Sequence, residues 1–135
     1  MLRKISFLVL LFITAQEICA QTNELPKKEP LYVNIFIAAD KTIYVETQKT
    51  YFQDVDKAVS EIVRKMPFSI DQKLIYRIFA DENLKHGFIM DVNEKMLSGY
   101  RDAHQTQKYL LDTVELNIDG SNWFEAIDLK ALNAN

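Results

Sequence analysis

The spacing of apolar residues changes several times along the chain, and each change marks an element. Leu31 to Ile37 (LYVNIFI) and Thr42 to Glu46 (TIYVE) are β-branched and aromatic, with polar residues interleaved. They predict two strands joined by a turn at Ala38-Ala39-Asp40-Lys41, hence a β-hairpin. Phe52, Val55, Val59, Ile62, Val63 and Met66 fall on one helical stripe. Asp54 and Asp56 near its start and Arg64 and Lys65 near its end suit the helix dipole, and Pro67 closes it. Leu74, Tyr76, Ile78 and Ala80 then alternate with Ile75, Arg77 and Phe79. This predicts a strand with one buried face and Arg77 on the other.

The strand pattern stops at Ala80-Asp81. Asp81 and Asn83 carry short polar side chains suited to a turn and a helix start, with Gly87 in the same turn region. Phe88, Ile89, Val92 and Met96 predict a second helix ending at Gly99 or Tyr100. Tyr109 to Ile118 (YLLDTVELNI) reads as one longer strand or as a bent one, and Asp119-Gly120 as a turn. Asn122, with Glu125 three residues on, reads as the capping box of a last helix. Trp123, Phe124, Ile127, Leu129 and Leu132 would form its apolar side. The order is β-β-α-β-α-β with an added C-terminal helix. Amphipathic helices with half-buried strands predict an α+β sandwich of two layers, helices on one face of a sheet.

The first twenty residues predict a location. Arg3 and Lys4 precede an apolar run from Ile5 to Ala15, and Ile18-Cys19-Ala20 ends in a small residue before Gln21. That is the layout of a secretory signal peptide over residues 1–20, cleaved between Ala20 and Gln21. The run is about half of the roughly 20 apolar residues that a membrane span needs. Cys19 raises the question of lipidation, but Ile18 stands where a small residue usually precedes a lipidated cysteine. Gln21 to Pro30 (QTNELPKKEP) is polar, with two prolines, and reads as a flexible linker. Residues 31–135 then form a single domain.

Cys19 is the only cysteine, so the mature chain has no disulfide and packing alone must stabilise it. An exported chain of this kind is expected in a bacterial periplasm or the secreted fraction. The formal net charge is −3, with no basic run, which argues against nucleic acid as a partner.

No catalytic set stands out. His86 and His104 are the only histidines and lack metal-ligand spacing. No GxSxG motif occurs, and Gly87, Gly99 and Gly120 are isolated, so neither an activated serine nor a phosphate-cradling loop is expected. Neither a metal nor a cofactor is expected. Asp81 with Asp91, or Asp40 with Glu46, are carboxylate pairs by chemistry alone, and capping or solvated roles explain each more simply. Six tyrosines, eight phenylalanines and one tryptophan are many for this length. Core packing accounts for most of them. The remainder points to a binding surface carrying Tyr32, Asn34, Tyr44 and Arg77.

These residues carry a resemblance. The run Val33-Asn34-Ile35-Phe36-Ile37, then Ile43-Tyr44-Val45, the 52–66 helix, Tyr76-Arg77-Ile78-Phe79-Ala80-Asp81, Gly87 and Phe88 to Met96 together resemble the periplasmic domain of the ExbD/TolR family. The likeness covers roughly residues 31–118. It implies the β-β-α-β-α-β order and work beside a proton-driven channel of the bacterial envelope. Family members carry a transmembrane helix with an aspartate, and this chain has no acidic residue between Ile5 and Ala15. The resemblance therefore implies a soluble relative that keeps the binding domain. It would be a non-catalytic scaffold with a protein partner in the envelope or a second copy of itself, and peptidoglycan as a further candidate ligand. Two alternatives remain open: a small secreted hydrolase using carboxylates, and a structural envelope homodimer.

Overall fold

The computed structural model describes residues 28–129. The expected leader with its Ala20–Gln21 junction, most of the expected linker and the end of the expected last helix lie outside the described residues. The elements are β1 (Leu31–Ile37), β2 (Ile43–Val45), β3 (Gln48–Thr50), a 3-10 turn (Phe52–Asp54), α1 (Val55–Lys65), β4 (Leu74–Asp81), α2 (His86–Gly99), β5 (Gln105–Leu111) and a short α3 (Trp123–Ala126). The five strands form one open sheet in the order β3-β2-β1-β4-β5. β1, β4 and β5 run parallel, while β2 is antiparallel to both β1 and β3. This is an α+β fold with its two long helices on one sheet face, as the sequence pattern predicts.

The helix-side core follows from the alternation. Val33, Ile35 and Ile37 of β1 and Tyr76, Ile78 and Ala80 of β4 meet Val55, Val59 and Val63 of α1 and Ile89, Val92 and Met96 of α2. Each strand sends alternate side chains to this face, and each helix sends one stripe. Tyr76 keeps its hydroxyl satisfied inside that core by donating to the Tyr100 carbonyl at 2.6 Å. Burial, and secondarily Tyr100, hold that phenol neutral well above the usual tyrosine range.

Four expectations are corrected. First, β3 is an additional strand. Glu46 adopts φ 52, so β2 turns back through Glu46-Thr47 and Val45 pairs with Gln48. Such a left-handed residue leaves no mark in apolar spacing. Second, the strand expected over Tyr109–Ile118 runs instead over Gln105–Leu111. Gln107 and Tyr109 register against Arg77 and Phe79 of β4, and the chain turns away after Leu111. The apolar-polar alternation of residues 112–118 belongs to turns, with Val114 85% exposed. Third, Arg77 is not on an open face. It is 2% exposed, and all eight residues of β4 are buried, because this central strand has cover on both sides. Fourth, residues 28–30 are tied down. Lys28 Nζ donates to the Ile70 carbonyl at 2.6 Å, and Gln72 Nε2 to the Glu29 carbonyl at 2.8 Å.

Among the described residues no helix is long and apolar enough to cross a membrane.

Candidate functional site

The second face of the sheet, opposite the helices, gathers the polar chemistry. Alternation puts Tyr32, Asn34 and Phe36 of β1, Arg77 and Phe79 of β4, and Tyr44 of β2 on this face. Asn34 registers with Arg77, and Phe36 with both Tyr44 and Phe79. Tyr32, Asn34, Tyr44 and Arg77 therefore share one face, as expected. The face is not an open surface, however. Asn34 is 5% exposed, and Trp123 covers the aromatic row at 1% exposure.

A chain of polar contacts crosses the strands here. The Asn34 backbone N–H donates to Glu46 Oε1 at 2.8 Å, while Glu46 N–H donates to the Asn34 carbonyl at 2.8 Å. β2 ends at Val45, so the Glu46 carboxylate supplies the acceptor that a longer strand would have offered Asn34. Arg77 Nε donates to Asn34 Oδ1 at 2.6 Å, and the Arg77 guanidinium lies 3.9 Å above the Tyr32 ring. Asn34 thus bridges a half-buried carboxylate and a buried guanidinium. Burial pushes the Glu46 carboxyl above the usual range, against the opposing pull of its Asn34 bonds and Arg77. Burial likewise lowers Arg77, opposed by Tyr32, Tyr109 and Glu46.

Beside this polar chain runs an aromatic row. The Trp123 ring stacks on Phe36, with centroids 5.6 Å apart and planes 13° from parallel, and meets Phe79 at 5.7 Å. Phe79 stacks in turn on Tyr109 at 4.9 Å. Trp123 Nε1 donates to the Glu46 carbonyl at 3.0 Å, which ties the aromatic row to the polar chain. Ile118 completes this second core.

Of three residues expected to shape turns and caps, Asp81 shapes its turn, and neither it nor Asn122 caps a helix. Asp81 is a turn residue: its Oδ1 accepts from Asn83 N–H at 2.8 Å. It does not cap a helix, because α2 starts five residues later behind Lys85, which makes no side-chain cap bond. Its other oxygen accepts a short bond from Thr113 Oγ1. Burial raises this carboxyl, but the bonds from Thr113 and Asn83 outweigh it and hold Asp81 below the usual range. Gly87 lies inside the first turn of α2, not in the preceding turn, with open space around it. Asn122 sits at the N-cap of α3 without capping it. Its Oδ1 accepts from Asp119 N–H at 3.0 Å and its Nδ2 reaches back to the Asn117 carbonyl. The expected capping box does not form.

The suggested carboxylate pairs are not brought together as pairs. Asp40 and Glu46 flank the two ends of β2, with Asp40 exposed and bonded to Thr42 N–H. Asp81 is committed to Thr113 and Asn83, while Asp91 is exposed on α2. His86 opens α2 and His104 precedes β5, both exposed. Among the described residues no group of three His, Cys, Asp or Glu side chains converges as a metal site would require.

Glu46 and Thr113 are partners of this face that the apolar pattern does not mark, while Trp123 lies in the C-terminal extension after residue 118, a segment placed to cover the sheet. Tyr44 and Glu46 lie two apart, which was the available signal that Glu46 belongs beside Asn34. Nothing in the spacing connects Trp123 to Glu46, 77 residues away. No protein-family model matches the chain, and no curated protein matches it.

Proposed function

We propose that this chain is an exported, non-catalytic binding or scaffold module of the bacterial envelope, resembling the periplasmic domains of the ExbD/TolR family. The observation that carries the reading is an edge strand built for pairing. Among the described residues β5 is a seven-residue strand hydrogen-bonded on one side, to β4. Strand addition at such an edge supplies main-chain hydrogen bonds and needs no catalytic side chains. The element order and the strand that ends in Ala80-Asp81 before a helix support the family likeness, and the apolar leader read in residues 5–15 supports export.

The partner on this reading is an envelope protein or a second copy of the chain. Affinity capture of the tagged full chain from detergent-solubilised envelope tests it. Recovery of a channel or transport component is the expected result. A strict monomer by sedimentation, with no captured envelope protein and no affinity for peptidoglycan sacculi, overturns it.

A further inference from the structure

The segment after β5 is organised differently from the rest of the molecule. From Asp112 to Ile127 it folds on its own hydrogen bonds. Leu116 N–H donates to the Asp112 carbonyl at 3.0 Å, Ile118 N–H to the Thr113 carbonyl at 2.9 Å, and Ala126 N–H to the Asn122 carbonyl at 3.0 Å. The Asp119 carboxylate gathers the N–H groups of Ser121 and Asn122. Asn117 at φ 53 and Gly120 at φ 98 set the path. No residue of this segment joins the strand ladders of the sheet. It docks mainly through side chains: Trp123 and Ile118 in the aromatic row, the Trp123 Nε1 bond to the Glu46 carbonyl, the Thr113 hydroxyl bond to Asp81 with a backbone N–H bond beside it, and close packing of the Gly120 backbone on the Tyr44 ring.

We propose that residues 112–127 form a strap that undocks from the sheet as a unit while the sheet and its two long helices stay folded. A segment that keeps its internal backbone hydrogen bonds loses none of those on lifting, so its opening costs only the docking contacts, among them the bonds of the Thr113 hydroxyl and backbone N–H to Asp81. The helix-side core shares none of the strap's residues and is left intact. Lifting bares the row Tyr44, Phe36, Phe79 and Tyr109 beside the Glu46–Asn34–Arg77 chain. The strap is thus an intramolecular cover over an aromatic platform flanked by polar groups. This inference stands apart from the envelope reading, since it concerns only how the fold opens.

The test uses the full chain and its single tryptophan. Trp123 emission reports the strap, and far-UV circular dichroism reports the helices and sheet, along one urea titration. The expected result is a red shift of Trp123 emission complete at a lower urea concentration than the loss of ellipticity. The Gly120→Ala variant widens the gap, because a Cβ there lies 2.9 Å from Tyr44 Cε2 on a backbone that disfavours side chains. Its emission midpoint falls further than its ellipticity midpoint. Where that variant fails to fold, Ile118→Ala replaces it, removing an apolar contact from the strap alone. Coincident emission and ellipticity curves in the unmodified chain overturn the proposal, as does an equal shift of both midpoints in the folded variant.

Discussion

The Glu46 carboxylate stands in for a strand: it accepts the Asn34 backbone N–H at 2.8 Å where β2 has already turned away. Glu46→Ala leaves that buried N–H without its acceptor and is expected to cost about 1–3 kcal/mol. Glu46→Gln keeps an oxygen for the N–H and is expected to cost less. The two also differ in pH dependence. Burial raises the Glu46 carboxyl in the folded protein above its ordinary 4.5. Its contribution is therefore full below that value and is lost as pH rises through the raised one. The stability of the natural chain relative to Glu46→Gln should fall between acid and neutral pH, as measured by urea unfolding across the series.

Arg77 offers the complementary test. Its guanidinium is 2% exposed, bonded to Asn34 and stacked over Tyr32. Removing the guanidinium leaves the buried Asn34 Oδ1 without its donor, so Arg77→Met is expected to destabilise the fold by about 1–3 kcal/mol. Groups in one network do not act independently. The double variant Arg77→Met/Glu46→Gln should therefore be more stable than the sum of the single losses predicts. Strict additivity in thermal unfolding would show that Asn34 does not couple the two charges.

The helix-side layer was legible because it obeys two periods. The stripe of α1 and the alternation of β4 each point a known set of apolar residues at one partner surface, and Val55, Val59, Tyr76 and Ile78 meet there. The second face was only half legible. Alternation put Tyr32, Asn34, Tyr44 and Arg77 together, but it carries no information about what lies above them. Trp123 covers Phe36 and Phe79 beside them, brought in past Asn117, whose left-handed backbone has no apolar signature. The same limit explains β3. A positive φ at Glu46 made an extra strand from residues, Gln48 to Thr50, with no apolar member.

Asp81 and Thr113 tie the end of β4 to the start of the strap. The carboxylate is 1% exposed and takes bonds from Thr113 Oγ1 and Asn83 N–H. Thr113→Val removes one of them and is expected to cost about 1–3 kcal/mol near neutrality. These bonds outweigh burial and hold Asp81 below its ordinary 3.8. A lowered carboxyl stabilises above the ordinary value and loses that contribution as pH falls through the folded one. The penalty of Thr113→Val should thus be largest near pH 7 and shrink below pH 3.8. A penalty that stays constant on acidification would mean that the hydroxyl serves packing and not the carboxylate.

Two glycines of α2 should respond in opposite directions. Gly87 sits in the first turn with nothing within 4 Å of a added Cβ. Alanine there only restricts the unfolded chain and favours the helix, so Gly87→Ala is expected to stabilise by about 0.5–1 kcal/mol. Gly99 ends the same helix against α1, where a Cβ would stand 2.4 Å from the Asp56 carbonyl oxygen and 3.1 Å from Val59 Cβ. Backbone cannot yield as a flexible side-chain end does, so the two helices must move apart, and overpacking of this kind costs about 1–3 kcal/mol. Thermal unfolding of the two variants should give midpoints on opposite sides of the natural chain. A Gly99→Ala midpoint at or above that of Gly87→Ala would mean that the α1–α2 contact does not depend on the close approach at Gly99.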